Sequence, residues 1–286
     1  MGKIEEALAK LQARKAGAAE ARARPPRAVA RVHDSPVAGH AYGGKGVEID
    51  FDALRAQGLL ASERHERVLA DEYRAIKRPL LKNASSGGEL VPRGNVLMVA
   101  SALPGEGKTF TAVNLALSIA REQDWSVILV DGDCNKPHVT RLFGASDQPG
   151  LMDLLRDRSA SFESLVMPTN LQRFAILPAG ARDERAAELL ASSKMESLIA
   201  EISAADPRRM VVFDSPPLLL RPEAQVLGGH VGQVLMVVHA NKTPHRAVLA
   251  ARDRLDASKS INLLLNQVSA RNGIAGYGDY YYGYQA

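Results

Sequence analysis

"NVLMVASALPGEGKTFTAVN", residues 95–114, decides how this chain folds. It opens with an unbroken apolar run from Val96 to Ala100, passes through a turn holding Gly105 and Gly107, and continues into a stretch of helix-forming residues. An apolar run without alternation marks a strand covered on both faces. Gly105 and Gly107 let the backbone curl until successive amides point inward, and Lys108 and Thr109 open a helix whose positive end faces the same space. Such a turn cradles phosphate. In the GxxxxGK[ST] pattern the lysine reaches the β- and γ-phosphates of a nucleotide and the hydroxyl ligates Mg²⁺, roles that fall here to Lys108 and Thr109. Pro104, Gly105, Glu106, Gly107 and Phe110 complete the nucleotide-binding turn. Ala102 replaces the first glycine of the pattern, a departure of one position.

Two further apolar runs end in carboxylates. "VILVDGDCNKP", residues 127–137, places Asp131 and Asp133 at the end of one strand, and "VVFDSPP", residues 211–217, places Asp214 at the end of another. Ligands of parallel α/β sheets sit beyond the carboxyl ends of the strands. The three aspartates therefore arrive near the γ-phosphate, where they hold metal-bound water or accept a proton. Asp214 occupies a Walker B position, and Pro216 and Pro217 stiffen the turn after it.

From residue 95 onward strands and helices alternate. Helices are expected over 111–123, as one continuous amphipathic helix over 185–202, and over 244–255. Strands are expected at 95–101, 126–131, 174–180, 210–214, 233–240 and 261–268. That order predicts an α/β fold: a mainly parallel sheet with helices on both faces, a P-loop NTPase with a deviant Walker A and a Walker A′ motif. Four segments are expected: an N-terminal amphipathic helix at 1–20, carrying Ile4, Leu8 and Leu11 on one stripe; a flexible basic linker rich in Pro and Gly at 21–47; the P-loop domain with a helical preamble at 48–270; and a mobile tyrosine-rich tail at 271–286.

With 286 residues, 46% of them hydrophobic, the chain is long enough for one well-buried domain. The formal charge of +4 is mild and drawn largely from the linker, which argues against a nucleic-acid partner. Cys134 is the single cysteine, so no disulfide forms within the chain, and it is read as inert packing. No stretch reaches the length of a membrane span or the apolar core of a signal peptide, which predicts a cytoplasmic protein.

The tail "GYGDYYYGYQA" carries five of the seven tyrosines, Tyr277, Tyr280, Tyr281, Tyr282 and Tyr284, with no aliphatic residue to build a core. The succession "ALPGEGKT", "VILVDGDCNKP", "VVFDSPP" and a terminal tyrosine cluster resembles the bacterial tyrosine kinases of capsule and exopolysaccharide synthesis, from about residue 66 to the end. "DEYRAIKRPLLKN" ahead of the first strand resembles the exosortase-associated autokinase branch of that family.

The resemblance implies ATP and Mg²⁺ as cofactors, Lys108, Asp131, Asp133 and Asp214 as catalytic residues, and Thr109, Asp133 and Asp214 around the metal. Asp131 is implied as the proton acceptor, Asn266 as a contact of the adenine base, and the five tail tyrosines as phosphoacceptors used in trans within a ring of subunits. Asp71, Arg74 and Lys77 match the spacing of the family's Glu-x-x-Arg-x-x-Arg subunit-contact motif. Asn135 stands where the family's A′ motif has arginine. A membrane-bound chain-length protein, the polysaccharide co-polymerase, is implied as activator and recruiter to the inner membrane, alongside a cognate tyrosine phosphatase. Two other readings remain open: a switch ATPase of the partitioning or division-site kind, disfavoured because Leu103 stands where those carry a signature lysine, and a nucleotide-binding adaptor that docks through its tail.

Overall fold

The structure is a computed structural model and describes residues 42–62, 65–85, 89, 91–157 and 159–268. The expected N-terminal helix, most of the linker and the tyrosine tail lie outside the described residues.

Among the described residues two helices precede the first strand: α1 (Phe51–Ala56), capped by the Asp50 side chain on the amides of Asp52 and Ala53, and α2 (Glu66–Ser85). The chain then runs through β1 (Val96–Ser101), α3 (Lys108–Ala120), β2 (Ser126–Asp131), α4 (His138–Leu142), α5 (Leu151–Arg156) and α6 (Phe162–Leu165). It continues with β3 (Met167–Pro168), β4 (Phe174–Leu177), α7 (Ala186–Leu190), α8 (Ser193–Ala205) and β5 (Arg209–Asp214). The last elements are α9 (Pro222–His230), β6 (Gln233–His239), α10 (His245–Arg252) and β7 (Ser260–Asn266).

Among the described residues the strands form one seven-stranded sheet in the order β3-β4-β2-β5-β1-β6-β7. Every neighbouring pair is parallel except β3 with β4. The apolar runs lie where their composition demands: all residues of β1, β2 and β5 are buried. Side-chain alternation sends Val96, Met98 and Ala100 into a core shared with α5, α7, α8 and α9. Leu97 and Val99 point into the opposite core, against Tyr73 and Leu80 of α2 and Ala112, Leu115 and Ile119 of α3. Each such aliphatic side chain contributes about 1.5–3 kcal/mol on leaving water, so the sheet is held from both faces.

Three local departures have physical causes. The helix expected over 185–202 is two helices, because Ser192 takes a β conformation and its hydroxyl caps α8 on the amide of Met195. Residues 42–47, expected as linker, lie along the sheet edge: Gly43 and Gly44 donate to Glu163 O and Val166 O, and Val47 donates to Pro168 O. A Cβ on Gly44 would meet Val166 O at 2.6 Å, so only glycine allows that approach. Helix α9 escapes the periodicity because Gly228 and Gly229 interrupt its apolar pattern.

Candidate active site

β1 lies between β5 and β6, and its end feeds the phosphate-binding turn. Gly105 and Gly107 take φ of +76° and +95°, the left-handed region that spares only glycine from strain. Ala102 is 1% exposed and packs into the core, where a small residue is what the space admits. Glu106 is buried and closes the turn on itself. One oxygen accepts from the Leu103 amide at 2.7 Å, and the other accepts from the Thr243 hydroxyl beyond β6. Asn266 at the end of β7 donates to Glu106 O at 2.9 Å, and a Cβ on Gly107 would fall 2.0 Å from its Nδ2. Asn266 thus sits against the loop.

The first turn of α3 carries no acidic residue and no side-chain cap, so its amides and helix dipole are left for an anion. Lys108 Nζ donates to Ser101 Oγ at 2.8 Å. Burial lowers its pKa, opposed by the carboxylates of Asp214, Glu106 and Asp133. Thr109 Oγ1 donates to Asp214 Oδ2 at 2.7 Å, while Asp214 Oδ1 is buried with no hydrogen-bond partner. Burial and the neighbouring Asp131 charge push the Asp214 carboxyl up to about 7.

The register of β2 on β5 pairs Asp131 with Asp214. Gly132 permits this closeness: its amide donates to Asp214 O at 2.7 Å and a Cβ there would meet the same oxygen at 2.8 Å. Asp131 is 0% exposed. Its Oδ2 accepts from the Thr140 amide and hydroxyl at 2.7 and 2.8 Å, and Oδ1 from the Asp133 amide at 3.2 Å. Burial raises its pKa to about 6 despite those bonds. Asp133 faces the open cleft with Lys108, Thr109 and Asp214, whereas Asp131 lies behind it. Asn135 donates to Glu223 Oε1 at 2.7 Å, so the position that is arginine in the resembled motif carries no charge into the cleft.

Pro104, Gly105, Lys108, Thr109, Asp133 and Asp214 thus meet on one cleft. Phe110 packs against the core beneath the loop. Asp71, Arg74 and Lys77 do not share a surface. Asp71 and Arg74 are exposed and paired to each other, while Lys77 is buried, donating to Ser118 O at 2.6 Å and pairing with Glu122 at 2.7 Å. Tyr277, Tyr280, Tyr281, Tyr282 and Tyr284 lie outside the described residues. Cys134 is buried and its thiol is pushed up by burial, consistent with packing. Sequence reasoning missed Ser101, Thr140 and Thr243, which orient the charged groups and carry no motif of their own.

No family model matches the chain. It is 32% identical over 228 residues to the tyrosine-protein kinase YwqD of Bacillus subtilis, covering 79% of this chain and 92% of that one. The chain belongs to the bacterial tyrosine-kinase family. The kinase is also 32% identical over 197 residues to the tyrosine-protein kinase wzc of Salmonella typhimurium, but spans only 27% of that relative's length. In three dimensions it is similar to the VpsO kinase domain, with a TM-score of 0.60 at 29% identity, covering 73% of this chain and all of that one. The P-loop fold and the tyrosine-protein kinase activity follow, as does nucleotide binding, and the switch-ATPase and adaptor readings fall away. None of these relatives bears on the exosortase-associated branch. No helix among the described residues is long and apolar enough to cross a membrane.

Proposed function

We propose that the kinase transfers the γ-phosphate of ATP to Tyr277, Tyr280, Tyr281, Tyr282 and Tyr284 of another copy of itself, and that this modification regulates exopolysaccharide polymerisation and export. The observation that carries the reading is the meeting of Lys108, Thr109, Asp133 and Asp214 on one cleft at the mouth of the glycine turn.

Mg²⁺ fits the donors present: Asp214 Oδ1 is a buried oxygen lacking a partner, and Thr109 and Asp133 add hard oxygens beside it. Among the described residues no three such side chains gather tightly enough to hold a metal alone, so phosphate oxygens and water would complete the shell. When bound, the ion would neutralise charge on the β- and γ-phosphates. The turn amides and the end of α3 hold the phosphate chain, and Lys108 exchanges Ser101 Oγ for a phosphate oxygen. Asp131 is the proposed final acceptor of the tyrosine proton, which Asp133 passes inward from the cleft. Asp133 meets the hydroxyl at the cleft surface, and Asp131 behind it, with its raised proton affinity, fixes the Asp133 backbone. Catalysis rests on positioning and charge neutralisation.

Asn266, at the rim of the turn, is the proposed contact of the adenine base. The subunits form a ring in which Asp71 and Arg74 reach a neighbour. A membrane-bound chain-length co-polymerase activates the kinase and recruits it to the inner membrane, a cognate tyrosine phosphatase resets it, and no nucleic acid is involved. The sequence ahead of β1 supports placement in the exosortase-associated branch.

Mixing a Lys108→Met chain with an active chain whose five tail tyrosines are phenylalanine tests transfer in trans. Phosphate on the Lys108→Met chain supports the reading. An unmodified tail, alongside normal ATP turnover, contradicts it.

A further inference from the structure

The active-site cleft is lined by further cations besides the lysine of the phosphate-binding turn. Beside Lys108 it is lined by Lys136 just before α4, Arg141 on α4 and Arg221 at the start of α9, with His138 between the first two. Lys136, Arg141 and Arg221 are all exposed, and among the described residues none of their side chains makes an ion pair or hydrogen bond. This contrasts with Arg55, Arg93 and Arg156, which are each bound to a carboxylate. Leu220, 57% exposed, borders the same cleft next to Arg221. The carboxylates facing this wall are Asp133 and Asp214 on the cleft floor, with Glu223 held by Asn135.

We propose that Lys136, Arg141 and Arg221, with Leu220 as an apolar platform, form a subsite for the anionic residues flanking an acceptor tyrosine, phosphotyrosine above all. The proposal rests on the tyrosine-transfer reading above and names the substrate class of that cleft. A tyrosine ring packs on Leu220 while its neighbours meet the guanidinium groups, which suit phosphate oxygens through paired donors. The tail supplies such neighbours: Asp279 adjoins Tyr280, and each tyrosine already modified carries about −1.5 to −2 charge. Three unpaired cations match roughly two phosphates at that charge. A tail with one or two phosphates is therefore retained for the next transfer. Further phosphates exceed what the wall neutralises and face Asp133, Asp214 and the nucleotide, so the tail leaves.

The test is binding of labelled peptides of sequence 276–286 to the full-length kinase loaded with MgADP, read by fluorescence anisotropy. The peptides carry no phosphate, one phosphate at Tyr282, or five. The singly phosphorylated peptide is expected to bind roughly five- to thirty-fold tighter than the plain one, the range that a few exposed charge-assisted contacts supply, with the advantage shrinking in high salt. The Arg141→Ala/Arg221→Ala double variant is expected to lose that preference while keeping its ADP affinity, which also shows it folded. Equal affinity for plain and phosphorylated peptides, or a preference surviving in the double variant, overturns the subsite. Tightest binding by the fivefold phosphorylated peptide overturns its limited capacity. Failure of the transfer reading would appear separately, as an unmodified tail in MgATP with the peptide preference intact.

Discussion

Thr109 Oγ1 donates to Asp214 Oδ2 at 2.7 Å and leaves Asp214 Oδ1 buried without a partner. The bond joins the helix after the glycine turn to the end of β5, and it satisfies only half of a carboxylate shut away from water. An isolated buried charge is costly, so Asp214 is held at the expense of stability. Asp214→Asn is expected to lower kinase activity at least about 100-fold, the scale for losing a charge-stabilising group, while raising the melting temperature of the nucleotide-free protein by a few degrees. Activity assays beside thermal unfolding check both. A variant that is inactive and also less stable would place Asp214 in the scaffold instead.

Gly107 and Asn266 make a second linked pair. Gly107→Ala combines a left-handed backbone with a Cβ 2.0 Å from Asn266 Nδ2, and is expected to weaken ATP binding by about tenfold or more. Adding Asn266→Ala removes the collision but leaves the backbone strain and gives up the proposed adenine contact. Titration calorimetry should therefore show at most partial rescue, and full rescue would contradict the role given to φ.

Lys77 and Arg74 separate stability from assembly. Lys77 closes the end of α3 through Ser118 O and Glu122, so Lys77→Ala is expected to cost roughly 1–3 kcal/mol in urea unfolding. Arg74→Glu, on an exposed helix face, is expected to leave unfolding nearly unchanged and to shift oligomeric mass downward in light scattering. An Arg74→Glu protein of unaltered mass removes Arg74 from the subunit contact.

At the opposite end of the sheet, hydrogen bonds from Arg93 and then His230 hold the Glu196 carboxyl down at about 2. A carboxylate with a depressed folded pKa stabilises above its unfolded value, near 4.3, and loses that contribution as pH falls toward about 2. Glu196→Gln is expected to destabilise modestly at pH 7, by less than about 1 kcal/mol because the side chain is half exposed, with the difference from wild type narrowing by pH 3. A gap that widens on acidification would contradict the assignment.

How much of this was legible in the sequence depends on what each residue needs. Val96 to Ala100, Val127 to Val130 and Val211 to Phe213 announce buried strands because no polar residue interrupts them, and their order fixed the parallel sheet around the glycine turn. Lys108, Thr109, Asp133 and Asp214 were legible because phosphate and metal chemistry restricts residue type at each place. Ser192 breaking a helix was not, since a serine at a small-residue junction reads equally as interior or cap. Nor was the inward turn of Lys77, because spacing along α2 does not say which face meets α3. Thr140 behind Asp131 stayed hidden for a similar reason: nine residues separate them, and only the fold of α4 onto β2 joins them.

The most direct measurement is mass spectrometry of the C-terminal peptide after incubation of the full chain with MgATP, beside a Lys108→Met control. The account predicts phosphate on Tyr277 to Tyr284 in the wild-type chain and none in the control. ATP hydrolysed with those five tyrosines unmodified, even with a candidate activator present, would contradict it.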